Sequence, residues 1–111
     1  MARLNYLELP VSDVSEAKRF YAEAFGFAFT DFGPTYAATT TGDTDIGFQG
    51  GELGRSAALL PVIEVSDLEA AAAAVEAAGG TITLPIFAFP GGRRFHFRDP
   101  AGHELAAMQA D

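Results

Sequence analysis

The sequence predicts an α+β fold: two tandem β-α-β-β-β modules forming a curved mixed-sheet cup with the helices on its outer face. The first observation behind this is a duplication. Val11-Ser12-Asp13-Val14 returns 54 residues later as Val65-Ser66-Asp67-Leu68, and the same offset sets Tyr6-Leu7-Glu8-Leu9-Pro10 on Leu60-Pro61-Val62-Ile63-Glu64. The second is that Ala17, Ala24 and Gly26 fall on Ala71, Ala78 and Gly80, so both copies run strand, cap, helix, glycine stop. The third is size: a unit of this length buries too little surface to stand alone, which implies that the halves pair around a shared hollow. Module one is expected over 1–50, a linker over 51–57 and module two over 58–111, within one domain.

Leu7, Leu9 and Val11 alternate with Tyr6, Glu8 and Pro10, the period of a strand with one face on a core. Asp13 followed by Glu16 reads as a capping box, and a helix then runs to about Phe25, stopped by Gly26. Val14, Ala17, Phe20, Tyr21, Ala24 and Phe25 form its apolar stripe. Strands are expected over 27–32, 36–41 and 45–49, separated by the Gly33-Pro34 and Gly42-Asp43 turns. The glycine-rich segment 50–56 is a connector.

The second module opens with a strand over 59–65 that puts Pro61, Ile63 and Val65 under the helix. Ser66 with Glu69 offers a second capping box, and the helix from Leu68 to about Ala78 is rich in alanine, so it lies close to its sheet. Strands follow over 81–87 and 93–98 around Pro90-Gly91-Gly92. Asp99-Pro100-Ala101-Gly102 has the residue order of a type I turn, and a left-handed Gly102 makes it a tight bulged hairpin. That register pairs Arg98 with Glu104, as an ion pair, Phe97 with Leu105, and His96 with Ala106.

Composition narrows the function classes. With 49% hydrophobic and 12% aromatic residues, the 111-residue chain has material for one core. Its net charge of −8 opposes nucleic acid and anionic membrane surfaces, leaving a small organic molecule as the expected partner. No cysteine is present, so disulfides and thiolate metal sites are excluded. The first residues enter a strand pattern without the apolar run of a secretory signal, and no stretch reaches membrane-spanning length, so a cytoplasmic location is expected. No phosphate loop, nucleophile elbow or zinc-protease helix occurs.

The strand ending in Val-Ser-Asp, the helix end Phe20-Tyr21-Ala22-Glu23-Ala24-Phe25-Gly26-Phe27 and the closing Phe97-Arg98-Asp99-Pro100-Ala101-Gly102-His103 resemble the vicinal oxygen chelate superfamily. Glyoxalase I, extradiol dioxygenases and bleomycin-resistance proteins belong to it. The resemblance spans nearly the whole chain and implies the glyoxalase/bleomycin-resistance/dioxygenase fold and a homodimer. Metal-using relatives place a ligand seven residues before the capping Asp of each module, which here means Tyr6 and Leu60. Their last-strand glutamate, four places after the turn glycine, falls on Ala106, with its first-module counterpart among Asp45, Gly47 and Gln49. A phenol binds a divalent ion well only once ionised, and an isobutyl or methyl group does not bind it at all.

The ligand-binding candidates are therefore Tyr6, Glu8, Gln49, Leu60, Glu64, Arg94, His96 and Glu104, with no cofactor expected. Glu8 and Glu64 are acids of the two first strands, as suited to a cup rim as to general-base work. Arg94 shares a strand face with His96 and Arg98 and is able to hold an anionic group, while His103 reads as a turn residue. The alternative is an enzyme, a glyoxalase-like lyase or isomerase or a dioxygenase, with zinc, iron, manganese or nickel relocated to Glu8, His96 and Glu104. Against it stands the plainer view of His96 as a strand histidine lining a cleft.

Overall fold

The computed structural model describes residues 2–51 and 56–111. Of the expected connector, Glu52, Leu53, Gly54 and Arg55 lie outside the described residues. The elements run β1 (Arg3–Pro10), α1 (Val14–Phe25), β2 (Thr30–Asp31), β3 (Tyr36–Ala38), β4 (Asp45–Gln49), β5 (Leu60–Glu64), α2 (Leu68–Ala77), β6 (Thr81–Phe89), β7 (Gly92–Arg98) and β8 (Glu104–Ala110). This is the α+β class, with β-α-β-β-β occurring twice. The chain divides into two compact units, Tyr6–Leu60 and Met1–Asn5 with Pro61–Asp111.

In the Tyr6–Leu60 unit, β1 lies parallel to β4, β4 antiparallel to β3, and β3 antiparallel to β2. The other unit repeats the plan: β5 is parallel to β8, β8 antiparallel to β7, and β7 antiparallel to β6. Parallel pairing of the first and last strand of a module needs a crossover, which the helix supplies. Glu8 pairs with Gly47 and Val62 with Ala106, so the pairing of the equivalent residues Glu8 and Val62 makes Gly47 the structural counterpart of Ala106, although the two lie 59 residues apart and not 54.

Both helices begin on an aspartate. Asp13, in extended conformation, accepts from the Glu16 N–H at 3.1 Å, and Asp67 accepts from the Ala70 N–H at 3.0 Å. The second cap is thus Asp67 and not Ser66, and Glu69 turns away from the box to take two hydrogen bonds from Arg93, at 2.6 and 3.2 Å. A cation with two in-plane donors outcompetes one backbone amide for that carboxylate. The Arg93 guanidinium beside it lowers the Glu69 carboxyl, and Glu69 in turn raises Arg93. Gly26, at φ 74°, ends α1 in the left-handed conformation expected of a helix-stopping glycine.

The helix packing departs from expectation in the first module. Val14 is the one buried residue of α1, while Phe20 and Phe25 of the anticipated stripe stand 52% and 65% exposed. Tyr21 carries the stripe onto the sheet by stacking on the buried Phe48 of β4, 5.4 Å between centroids, while Phe25 lies against Tyr21 at 6.1 Å and stays exposed. In the second module Leu68, Phe95 and Ala107 form a sealed cluster, with Val65, Ala71, Ala72, Val75, Ile82, Ile86 and Phe97 packed against it. The alanines bring α2 close enough to seal it.

Strand β2 is two residues long where six were expected, because 27–29 carry the aromatic stack and pair with no strand. The final hairpin is as anticipated: Gly102 at φ 95° donates to the Asp99 carbonyl, and His96, Phe97 and Arg98 pair with Ala106, Leu105 and Glu104. The expected Arg98–Glu104 ion pair does not form. Arg98 donates to the Gly102 carbonyl at 3.0 Å, and the Glu104 carboxylate accepts from the Thr83 hydroxyl at 3.0 Å.

Candidate functional site

Each unit carries a polar cluster. In the Tyr6–Leu60 unit, Tyr6 and Glu8 alternate on β1 and share a face. Tyr36 on β3 donates to Glu8 Oε1 at 2.9 Å, and its hydroxyl lies 2.5 Å from that of Tyr6. A phenol has one proton to give, and Tyr36 gives it to Glu8, so Tyr6 is the donor to Tyr36. The chain is directional: Tyr6, then Tyr36, then the Glu8 carboxylate, which is 1% exposed. Burial first, then the charge of Glu8, push the Tyr36 phenol far above its ordinary value. Tyr36 stays a neutral donor.

Gly47 makes this arrangement possible. A Cβ at that position would overlap the Tyr6 hydroxyl and press on that of Tyr36, so both rings occupy space that any other residue on β4 would fill. Flanking it, Asp45 closes the 41–45 loop. Burial raises its carboxyl, but the N–H groups of Thr41 and Gly42 and the hydroxyls of Thr39 and Thr41 outweigh this and hold it below the usual carboxylate range. Gln49 is set apart, its amide 3.4 Å from the Thr35 carbonyl. Leu60 is buried.

In the Pro61–Asp111 unit the cluster lies on β6, β7 and β8. His96 is 7% exposed, and its Nδ1 is 3.6 Å from Glu104 Oε2. The Phe87 ring lies 5.8 Å from the imidazole. Arg94, two residues along β7, sits over Phe87 and Phe89. Glu64 is half-buried on β5 and pairs with Met108. His103 is a turn residue, its backbone N–H and its ring both on Asp99, whose carboxyl they lower.

Of the residues singled out from the sequence, the fold brings Tyr6 to Glu8, and His96 to Glu104 with Arg94 nearby. Tyr36, Thr83, Phe87 and Phe89 also join these clusters without having been candidates, and Gly47 enters the sequence reading only as one of three possible first-module metal positions. Tyr36 had a signal, an aromatic after the Gly33-Pro34 turn, but nothing local aims its hydroxyl at Glu8. Gly47 becomes legible only once its equivalence with Ala106 is known.

A family model, Glyoxalase/Bleomycin resistance protein/Dioxygenase superfamily, matches residues 3–107. The chain belongs to this superfamily. A superfamily member from Vibrio splendidus shares its fold at TM-score 0.72 and 18% identity, covering 98% of this chain and 99% of that one. Methylmalonyl-CoA epimerase from Mycobacterium tuberculosis does so at 0.74 and 14%, covering 97% and 87%. The Mn(II)-bound glyoxalase from Novosphingobium aromaticivorans does so at 0.71 and 21%, covering 98% of this chain and 40% of that one. No curated protein sequence matches the chain.

The superfamily's metal positions do not fit a metal in this member. Tyr6 is committed as a donor to Tyr36, Gly47 has no side chain, and Leu60 and Ala106 are buried and apolar. Among the described residues no three His, Cys, Asp or Glu side chains are grouped to hold an ion. No helix among the described residues is long and apolar enough to cross a membrane.

Proposed function

We propose that this superfamily member binds a small organic molecule, in the manner of the bleomycin-resistance branch, without a metal at the positions its relatives use. The observation that carries this reading is the Tyr6–Tyr36–Glu8 chain standing over Gly47. Hydroxyls and a carboxylate fixed in one hydrogen-bonded order recognise polar ligand atoms by geometry, which is how a binding site gains specificity. A cytoplasmic homodimer is part of the reading, and sedimentation velocity measures the latter.

A thermal-shift screen with cationic aromatics, neutral aromatics and small carboxylates is the test. A ligand held only by the native state raises the melting temperature, and the shift persists after exhaustive dialysis against chelator. Absence of a shift with all three classes would overturn the reading.

The His96–Glu104 pair favours a second reading, a lyase or isomerase of the glyoxalase type. A buried imidazole with a carboxylate 3.6 Å from its Nδ1 brings a proton-transferring side chain next to an acidic partner. Elemental analysis after purification without chelator separates the two: stoichiometric transition metal that disappears in His96→Ala supports the enzyme.

A further inference from the structure

A cavity of about 280 Å³ in the Tyr6–Leu60 unit is lined by Gly26, Phe27, Ala28, Thr39, Thr40 and Thr41. It does not involve the Tyr6–Tyr36–Glu8 chain. Ala37 pairs with Phe48, which stacks on Tyr21 of α1, so Ala37 faces the helix and Tyr36 faces away from it. Thr39 continues the ladder, its N–H on the Ile46 carbonyl, and by alternation returns to the helix side.

Three features set the chemistry such a cavity accepts. Thr39 and Thr41 each donate to Asp45 Oδ1, at 2.7 and 2.8 Å, and a hydroxyl has one proton, so what these two offer a neighbour is lone pairs. The Asp45 carboxylate they hold is ionised, and its other partners are the Thr41 and Gly42 N–H groups, with no cation among them. Next is the end of α1: Gly26 caps it, and its last turn carries no basic residue to offset the negative end of the helix. Last is Phe27, 41% exposed and stacked on Tyr21 at 6.4 Å between centroids, which gives the cavity an aromatic wall. Lone pairs, two sources of negative potential and a ring face attract one kind of partner, a cation that donates hydrogen bonds and carries apolar surface. The volume lies just below the ~300 Å³ at which ordinary ligand pockets begin, so that partner is small.

We propose that this cavity binds a small organic ammonium ion, its N–H groups toward the threonine hydroxyls and the end of α1 and its hydrocarbon against Phe27 and Ala28. This is a second site, beyond the binding reading above, which concerns the other face of the sheet. A chain of net charge −8 favours a cation there over an anion, and a bare metal ion would leave the aromatic wall without a partner.

The experiment is titration of benzylamine and phenethylamine near neutral pH, where both are protonated, followed by amide shifts in proton–nitrogen NMR spectra. Benzyl alcohol, benzoate and potassium chloride are the controls, and the proteins are wild type, Phe27→Leu and Asp45→Asn. The ammonium ions are expected to bind at least about tenfold more tightly than benzyl alcohol, with the shifts centred on residues 26–28 and 39–41. Phe27→Leu keeps the bulk without the ring face and should weaken binding about threefold or more. Asp45→Asn removes the charge and should narrow the margin over the alcohol. Equal affinity for amine and alcohol, unchanged affinity in Phe27→Leu, or the same shifts with potassium or benzoate would overturn the proposal. Should Asp45→Asn fail to melt cooperatively, Phe27→Leu and the alcohol decide. If the amines shift Tyr36 and Gly47 instead, the proposal falls and the binding reading stands; if no probe moves any amide, the proposal falls alone, because the wider thermal-shift screen tests the other face.

Discussion

The two modules share one strand plan and solve the packing of their helices in opposite ways. Module two uses the small alanines of α2 to bring Leu68 down on Phe95 and Ala107, which are sealed from water. Module one uses large rings, and α1 buries Val14 while Phe20 and Phe25 stay more than half exposed. The difference teaches that ring volume alone does not make a core. Here Tyr21 carries the stripe onto the buried Phe48 of β4, and Phe20 and Phe25 pack on Tyr21 and stay at the surface.

The largest effect expected from breaking this contrast is at Phe95. Phe95→Ala leaves a cavity in a sealed cluster and should cost about 3–5 kcal/mol, whereas Phe25→Ala should cost less than about 1 kcal/mol. Urea unfolding of both variants measures the gap. Similar losses would mean that the aromatic stack of module one is as structural as the core of module two.

The polar clusters sharpen the same comparison. Tyr36→Phe leaves the buried Glu8 carboxylate without its phenolic donor, a loss of about 1–3 kcal/mol. Gly47→Ala pushes into both hydroxyls and should cost a similar ~1–3 kcal/mol by overpacking. No such loss is expected from Thr83→Val in module two, where the hydroxyl lies exposed on Glu104.

The sign of the Tyr36 shift gives a pH signature. Its phenol is raised in the folded state, so its contribution is intact below the unfolded value of about 10 and is lost as the pH climbs above that. Wild type should therefore lose stability faster above about pH 10 than Tyr36→Phe does. In an ultraviolet titration the Tyr36 phenol should ionise only on unfolding.

The smallest effects concern the caps. Asp13→Ala and Asp67→Ala should each cost about 1 kcal/mol, and Ser66→Ala less than about 0.5 kcal/mol. A larger loss at Ser66 would restore the capping box read from the sequence.

What was legible in the sequence was whatever local chemistry enforces. The repeated Val-Ser-Asp placed both helices, and Asp99-Pro100-Ala101-Gly102 fixed the register that sets His96 opposite Ala106. What was not legible depended on choices between near-equal partners. Glu69 prefers Arg93 to a backbone amide, Glu104 prefers Thr83 to Arg98, and Tyr36 reaches Glu8 across the intervening strand β4. Such choices are settled by distances of a few tenths of an ångström, which no spacing rule encodes.

Gly47 limits what this site can be made to hold. Placing an ion-binding side chain at that position would require displacing two phenols at the same time, since the added carbon alone collides with both. Volume as well as chemistry therefore sets this position against an ion: a donor side chain fits there only with the Tyr6 and Tyr36 rings rotated out and their link to Glu8 broken.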